Sequence, residues 1–248
     1  MKKTKGLISL AIVAILCGCS CGRVNETTYN NAINNFNSTD AISFTRIENV
    51  TSKADPSSYT RTIIDAKFIF DGNKNGDIVE AEYKISDYVL STKVSSNDYY
   101  YVDVTNTLYS KKQIPGVLEE RIKESTSYED YFNIHNCSTT ACRVGIQTNL
   151  APIFSVDDVH GFVIEKIDGE AVATFSAACP AFENCKGNEM LDYKLIIGGD
   201  GNVLSLYYTI DGKNDTTTIS YKFNNYGSND VTISFPNDLD SYIDGNID

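Results

Sequence analysis

Apolar and polar residues alternate with period two over most of the chain. Ile42, Phe44 and Arg46 alternate with Ser43 and Thr45, and 60–70 reads as a strand. Val79, Ala81, Tyr83 and Ile85 alternate with Glu80, Glu82, Lys84 and Ser86, which predicts a strand with one solvated face. Further strands are predicted over 89–94, 99–104 and 107–111, with Ser95-Ser96-Asn97-Asp98 as a turn. A second run follows over 161–167, 170–177, 190–197, 202–210, 216–223 and 230–235. Asp168-Gly169 between two of these is a strong two-residue hairpin signal. Period 3.6 is rarer. Tyr29, Ala32, Ile33 and Phe36 place four apolar residues on one face of a helix over 26–37. Pro115 is expected to open a second helix carrying Val117, Leu118, Arg121 and Ile122. Ser127 with Asp130 has the spacing of a helix cap over the next few residues, and Thr148 to Phe154 is expected to add a short helix.

The predicted order is helix, long meander, helices, long meander. That is a mainly β (α+β) chain: a curved antiparallel meander, a half-barrel with a few short helices on its concave face. No repeat or proline-rich linker divides it, so 26–248 is expected to be one domain and one monomer, with a cysteine-containing insert around 135–187.

The first 25 residues do not fit that pattern. Lys2, Lys3 and Lys5 precede the apolar stretch Leu7 to Leu16, which is too short to span a bilayer as a permanent helix. Leu16-Cys17-Gly18-Cys19 follows. This tetrapeptide resembles a bacterial lipobox, with Leu at −3 and Gly at −1 before the modified Cys. The resemblance implies a signal peptide over 1–18, cleavage between Gly18 and Cys19, and diacylglycerol plus an acyl group such as palmitate on Cys19. Residues 19–25 would then be a lipidated tether, and the protein would face the extracytoplasmic side of the cell membrane or envelope. Two acyl signals give stable anchoring where one is marginal.

Charge narrows the partners. Lys and Arg number 21 against 33 Asp and Glu, a net charge of −12. Loss of the three leader lysines takes this to about −15. Such a chain is a poor candidate for nucleic acid, and beside an anionic membrane it should stand off the surface rather than lie on it.

Seven cysteines are present. Cys17 leaves with the leader, Cys19 is assigned to lipid, and Cys21 is left over in the tether. Cys137, Cys142, Cys179 and Cys185 remain as two close pairs. In an exported protein the local disulfides Cys137–Cys142 and Cys179–Cys185 are favoured over crossed pairing. A four-thiolate zinc site is the competing reading, but Cys-x5-Cys is wide for a zinc knuckle.

Catalytic chemistry is not evident. His135 and His160 are the two histidines, with no nucleophile motif or phosphate loop around them. No cofactor is called for, and no enzyme is expected. Asp71 to Glu82 matches a calcium loop in spacing, with Asp71, Asn73, Asn75, Asp77 and Glu82 as oxygen donors and Gly76 at the bend. The same residues make a good hairpin turn before a period-two strand, which is the favoured reading. Tyr99-Tyr100-Tyr101 and Tyr207-Tyr208 either line a groove or pack as ordinary strand tyrosines.

The layout, together with Ile219 to Gly227 and the closing Val231 to Pro236, resembles the half-barrel of the bacterial lipoprotein carriers LolA and LolB and of the LppX/LprG lipoproteins. That resemblance implies a membrane-anchored, non-enzymatic lipoprotein that binds or carries a hydrophobic or lipid ligand. The competing expectation is a surface protein that binds another protein or a glycan through exposed tyrosines and disulfide loops.

Overall fold

The period-two segments pair with their neighbours in the chain, and two meanders meet edge to edge to make a single sheet. The computed structural model describes residues 26–71, 77–132, 159–179, 185 and 189–245. Within them β1 (Ala41–Ser52), β2 (Tyr59–Phe70), β3 (Ile78–Val89), β4 (Thr92–Val102), β5 (Thr107–Ile114) and β6 (Leu118–Ser125) form the first meander. β7 (His160–Ile167), β8 (Glu170–Ala178), β9 (Met190–Ile197), β10 (Val203–Asp211) and β11 (Asp215–Tyr226) form the second. A last short strand is β12 (Ile243–Asp244). The order across the sheet is β12-β6-β5-β4-β3-β2-β1-β11-β10-β9-β8-β7. β1 and β11 join the two halves, Phe44 opposite Phe223 and Arg46 opposite Tyr221. All pairs are antiparallel except β12 on β6.

Irregularities bend this sheet. Register shifts fall at Ser43/Phe44, Ile69/Phe70, Asp87/Tyr88, His160–Val163 and Val203–Ser205. Each extra residue increases local twist and lets a long sheet curl. The turns are built from residues that tolerate their angles. Asp168 and Gly169 both have positive φ, as a two-residue hairpin demands. Pro115 followed by Gly116 at φ 71° suits a type II turn, closed by Val117 N–H to the Ile114 carbonyl at 3.0 Å.

Two helices occupy the concave face. α1 spans 26–38. Tyr29, Ala32, Ile33 and Phe36 are its buried residues, the four the spacing selects. Tyr29 meets Phe162 and Phe175 edge-on at 5.1 and 5.9 Å, and Phe36 meets Phe223 at 5.3 Å. α2 (Tyr128–Phe132) is capped by Ser127, whose Oγ accepts from the Asp130 N–H at 3.0 Å. Its Tyr128 packs on Phe68 and Tyr101, and its Phe132 on Tyr83 and Tyr99.

Four expectations fail here. Residues 117–124 are strand, not helix. The Pro-Gly turn folds Leu118–Ser125 back onto β5, where Ile114 faces Leu118 and Lys112 faces Glu120. Ladder hydrogen bonds and opposite charges across the pair outweigh the helix propensity of Glu, Arg and Lys. Residues 89–94 are not a strand of their own, since β3 turns into β4 at Leu90-Ser91 and Val89 faces Thr92. Ser95 to Asp98 lies inside β4. Finally, 230–235 is not a strand among the described residues. It crosses the convex face instead. The segments 148–154 and 1–25 lie outside the described residues.

Candidate functional site

The concave face is a wall of rings. Reading across the sheet, Tyr83, Phe68, Phe44, Tyr221, Tyr208, Tyr193 and Phe175 all point inward and are buried. Ring centroids lie 5.2 to 6.5 Å apart in two runs, Tyr83–Phe68–Phe44–Tyr221 and Tyr208–Tyr193–Phe175. The alternation of each strand puts them there, because every second residue faces the same side. Such spacing suits the ring quadrupole, and the pairs gain about 1 kcal/mol each beyond area burial.

One cation interrupts the wall. Arg46, 1 % exposed, sits on the central strand β1. Its Nε donates to the Tyr221 hydroxyl at 2.9 Å and its Nη2 to Glu48 Oε2 at 2.6 Å. Its guanidinium carbon lies 5.7 Å from the Tyr221 ring centre. Burial works against its charge, but Tyr221 and Glu48 more than offset this and hold it above the ordinary arginine value. Burial likewise raises Tyr29, Tyr83 and Tyr226, so these hydroxyls stay protonated donors at any physiological pH. The pattern that placed Arg46 on the inward face of β1 was visible in the sequence.

The convex face carries a different constellation. Glu82 is only 6 % exposed, although its strand pattern predicts a solvated face. The C-terminal segment accounts for the difference. Ser234 N–H points at Glu82 Oε2 at 3.4 Å, and Phe235 lies against Tyr100 at 6.3 Å. Tyr242 meets Tyr109 edge-on at 5.5 Å, and Arg121 bonds Asp238 at 2.5 Å and Ser241 Oγ at 2.7 Å. Residues 231–245 thus form a strap over β3 to β6 that ends as β12. Beneath it Lys67 and Lys84 donate to Glu82 at 2.8 and 2.5 Å. Burial opposes the Glu82 charge, but the two lysines outweigh it and hold the carboxyl below its ordinary value. Burial and Tyr100 push Tyr242 up to about 12.

Other sequence candidates fall as follows. Cys179 and Cys185 are bonded, with Cα atoms 6.4 Å apart, as the local pairing expects. Cys137, Cys142, Gly18, Cys19 and His135 lie outside the described residues. So do residues 72–76 of the calcium-loop candidate. Its ends behave as a hairpin, since Asp71 N–H bonds the Asp77 carbonyl at 2.8 Å, and Glu82 is committed to lysines on the convex face. The tyrosine runs are not an exposed surface. Tyr100, Tyr101 and Tyr208 are buried, Tyr99 is half-buried against α2, and Tyr207 alone of the five is exposed. Among the described residues no group of three or more His, Cys, Asp or Glu could hold a metal ion. No described helix is long and apolar enough to cross a membrane.

These features define a class: a curved one-sheet half-barrel with helices on its concave side. No family model and no curated protein matches the chain. Solved structures overlap it loosely. The lipoprotein LppX of Mycobacterium tuberculosis aligns with a TM-score of 0.44 and 10% identity, over 86% of this chain and 99% of that one. A DUF1329 family protein from Desulfovibrio piger aligns with a TM-score of 0.33 and 9% identity, over 85% of this chain and 94% of its own. The class rests on the strand order and register of this sheet rather than on those overlaps.

Proposed function

We propose that the protein is a non-enzymatic lipoprotein, anchored through Cys19 on the extracytoplasmic side, whose concave face binds or carries a hydrophobic molecule. The observation that carries this reading is a broad aromatic wall with one buried cation at its centre, on the face where the two helices pack. The seven strands that carry the wall, from β3 to β8 across the sheet, span roughly 30 Å in the hydrogen-bonding direction. α1, over 26–38, is about 20 Å long and 10 Å wide, and α2 is a third of that length. The rings of this wall are buried, so a lipid or other hydrophobic ligand would enter by displacing part of their cover and taking its place against the rings. Arg46, buried and bonded to Tyr221 and Glu48, would meet a ligand's polar end only by exchanging one of those bonds for it.

The test is extraction of the protein purified from membranes of an exporting host, followed by mass spectrometry. A stoichiometric lipid enriched over the bulk membrane composition supports the carrier reading; bulk composition alone refutes it. The anchor has its own test. Replacing Cys19 (Cys19→Ala) must abolish incorporation of labelled palmitate and release the protein from the membrane fraction. The interaction-protein reading keeps one residue of its tyrosine set. Tyr207 stands in an open groove of about 460 Å³ with Thr174, Lys194 and Thr209. Loss of a glycan or protein partner on Tyr207→Ala, with ligand content unchanged, would favour that reading.

A further inference from the structure

We infer that one rim of the half-barrel docks on a lipid bilayer, with the tips of the β3–β4 and β5–β6 hairpins inserted at the interface. This rests on the anchored reading above and adds an orientation to it. The exposed apolar residues are unevenly placed. Of eleven large hydrophobic residues exposed among those described, six lie at one end of the strands: Val89, Leu90, Val94, Val117, Leu118 and Met190.

The register shows that these six share a rim. Thr51 faces Tyr59 and Thr216, and Thr60 faces Val89, so the β1–β2, β10–β11 and β3–β4 turns are level. Ile114 faces Leu118, which puts the Pro115-Gly116 turn at the same end, and Ala178 faces Met190. Leu90 N–H bonds the Tyr59 carbonyl at 3.0 Å. The two hairpin tips are neighbours, because Lys93, Ile114, Val117 and Leu118 line one open pocket of about 520 Å³.

Two features of the tips are costly for a water-facing turn. Val117 is 79 % exposed and Leu90 46 %. Leu90 also takes φ 56°, where Gly or Asn would be less strained. An isolated exposed Leu needs no account, but an apolar cluster at paired tips marks a contact surface.

The occupant is argued from where the described chain begins. α1 runs antiparallel to β1. Its Phe36 end meets Phe223 and Asn35 reaches the Gly201 carbonyl at the opposite rim. Its Tyr29 end meets Phe175 on β8, whose ladder partner Tyr193 faces Tyr208, which faces Ile219, which faces Glu48 on β1. Residue 26 therefore leads away from the body toward the rim of the apolar tips. The residues upstream of it hold Leu7 to Leu16 and Cys19. A chain tethered seven residues upstream of 26 presents this rim to the membrane.

Charge at this rim is mixed. Lys93 lies beside the tips, where its long side chain reaches head groups while apolar neighbours insert. Lys53 is paired with Asp211 at 2.5 Å, and Asp55, Asp215 and Glu119 share the rim, so the docking rests on the apolar tips and the tether.

The chain has no tryptophan, so an introduced indole is a sole reporter. The full-length protein is purified from an exporting host and reconstituted in phosphatidylcholine–phosphatidylglycerol vesicles, with or without brominated acyl chains. Leu90→Trp and Val117→Trp report the docking rim. Val104→Trp reports the opposite rim, where Val104 is 94 % exposed. Expected are blue-shifted emission at 90 and 117 and loss of about half of it to bromolipid, given insertion 5–10 Å deep. Emission at 104 should stay unshifted and unquenched. Protein that co-floats with vesicles but shows no quenching at 90 and 117, or equal quenching at all three positions, overturns the docking and leaves the anchor standing. Protein that fails to co-float refutes the anchor and the docking together. Since both tips are solvent-exposed, failure of one variant to fold leaves the other to decide.

Discussion

Glu82→Gln tests whether the convex strap is held by charge. The native carboxylate takes two lysine ammonium groups at 2.8 and 2.5 Å and faces the Ser234 N–H. Gln keeps the shape and can still accept hydrogen bonds, so the change removes the charge alone. A charge-assisted hydrogen bond contributes about 1.5–3 kcal/mol when buried. Here the carboxylate side chain is 8% exposed but both lysines are 36% exposed, so solvent screening takes most of that away. The freed lysines can also reach water. The expected loss at pH 7 is about 1–2 kcal/mol of unfolding free energy.

The pH dependence carries the sharper test. The folded-state pKa of Glu82 is depressed below its unfolded value. Its stabilisation is therefore fully present above the unfolded carboxylate range, near 4.3, and disappears as pH falls through the folded value. Urea unfolding of the two proteins at a series of pH values should give curves that lie apart at neutral pH and converge in acid. A gap that stays constant down to acid pH would mean that the loss is steric. Equal stability at neutral pH would mean that the lysine pairs make no net contribution.

Three further outcomes follow from the geometry. Phe44→Ala removes a ring packed on Phe68, Tyr221 and Phe223, and should cost about 3–5 kcal/mol in denaturant unfolding. Replacing both Cys179 and Cys185 with Ser opens a short loop with a sequence separation of 6 and should cost about 2 kcal/mol, with no reductant sensitivity left at that site. Leu90→Gly relieves a positive φ and should raise unfolding free energy by about 1 kcal/mol, while weakening contact with vesicles.

The inward face was legible in the sequence because it depends on local periods. Tyr29, Ala32, Ile33 and Phe36 form one side of a helix by spacing alone, and Ile42, Phe44 and Arg46 form one side of a strand. Asp168-Gly169 shows its turn through its backbone preferences. The β3–β4 turn was hidden because Leu90 is an unusual corner residue, while Ser95-Ser96-Asn97-Asp98 looks like a turn and is strand. Glu119 to Glu124 suits a helix by propensity; the ladder with β5 decides otherwise, and its hint was Pro115-Gly116. The fate of 230–235 depends on contacts far away in the chain. Its alternation is that of a strand, yet Phe235 spends its ring on Tyr100. Arg46 was placed on the correct face, but its partner Tyr221 lies 175 residues away and no local pattern links them.

The two faces of the sheet answer different physical problems, and this bears on how a ligand could enter. On the convex side the strap covers the first meander and joins its outer edge, where β12 pairs with Ile122 and Lys123 of β6. Parallel pairing of two residues is a small contact, but together with Arg121–Asp238 and Tyr242–Tyr109 it shields an edge that would otherwise invite another strand. The convex half is thereby tied across β3 to β6. On the concave side the cover is of another kind. α1 is held to the second meander and β1–β11 seam through Phe162, Phe175 and Phe223, whereas α2 is held to the first through Phe68, Tyr83 and Tyr99. Each helix belongs to its own half. β1, which carries Arg46, lies between the strands that the two helices cover. On the carrier reading proposed above, displacing either helix would leave the ladder of the sheet intact, and an apolar chain with a polar end would meet rings and charge together at β1.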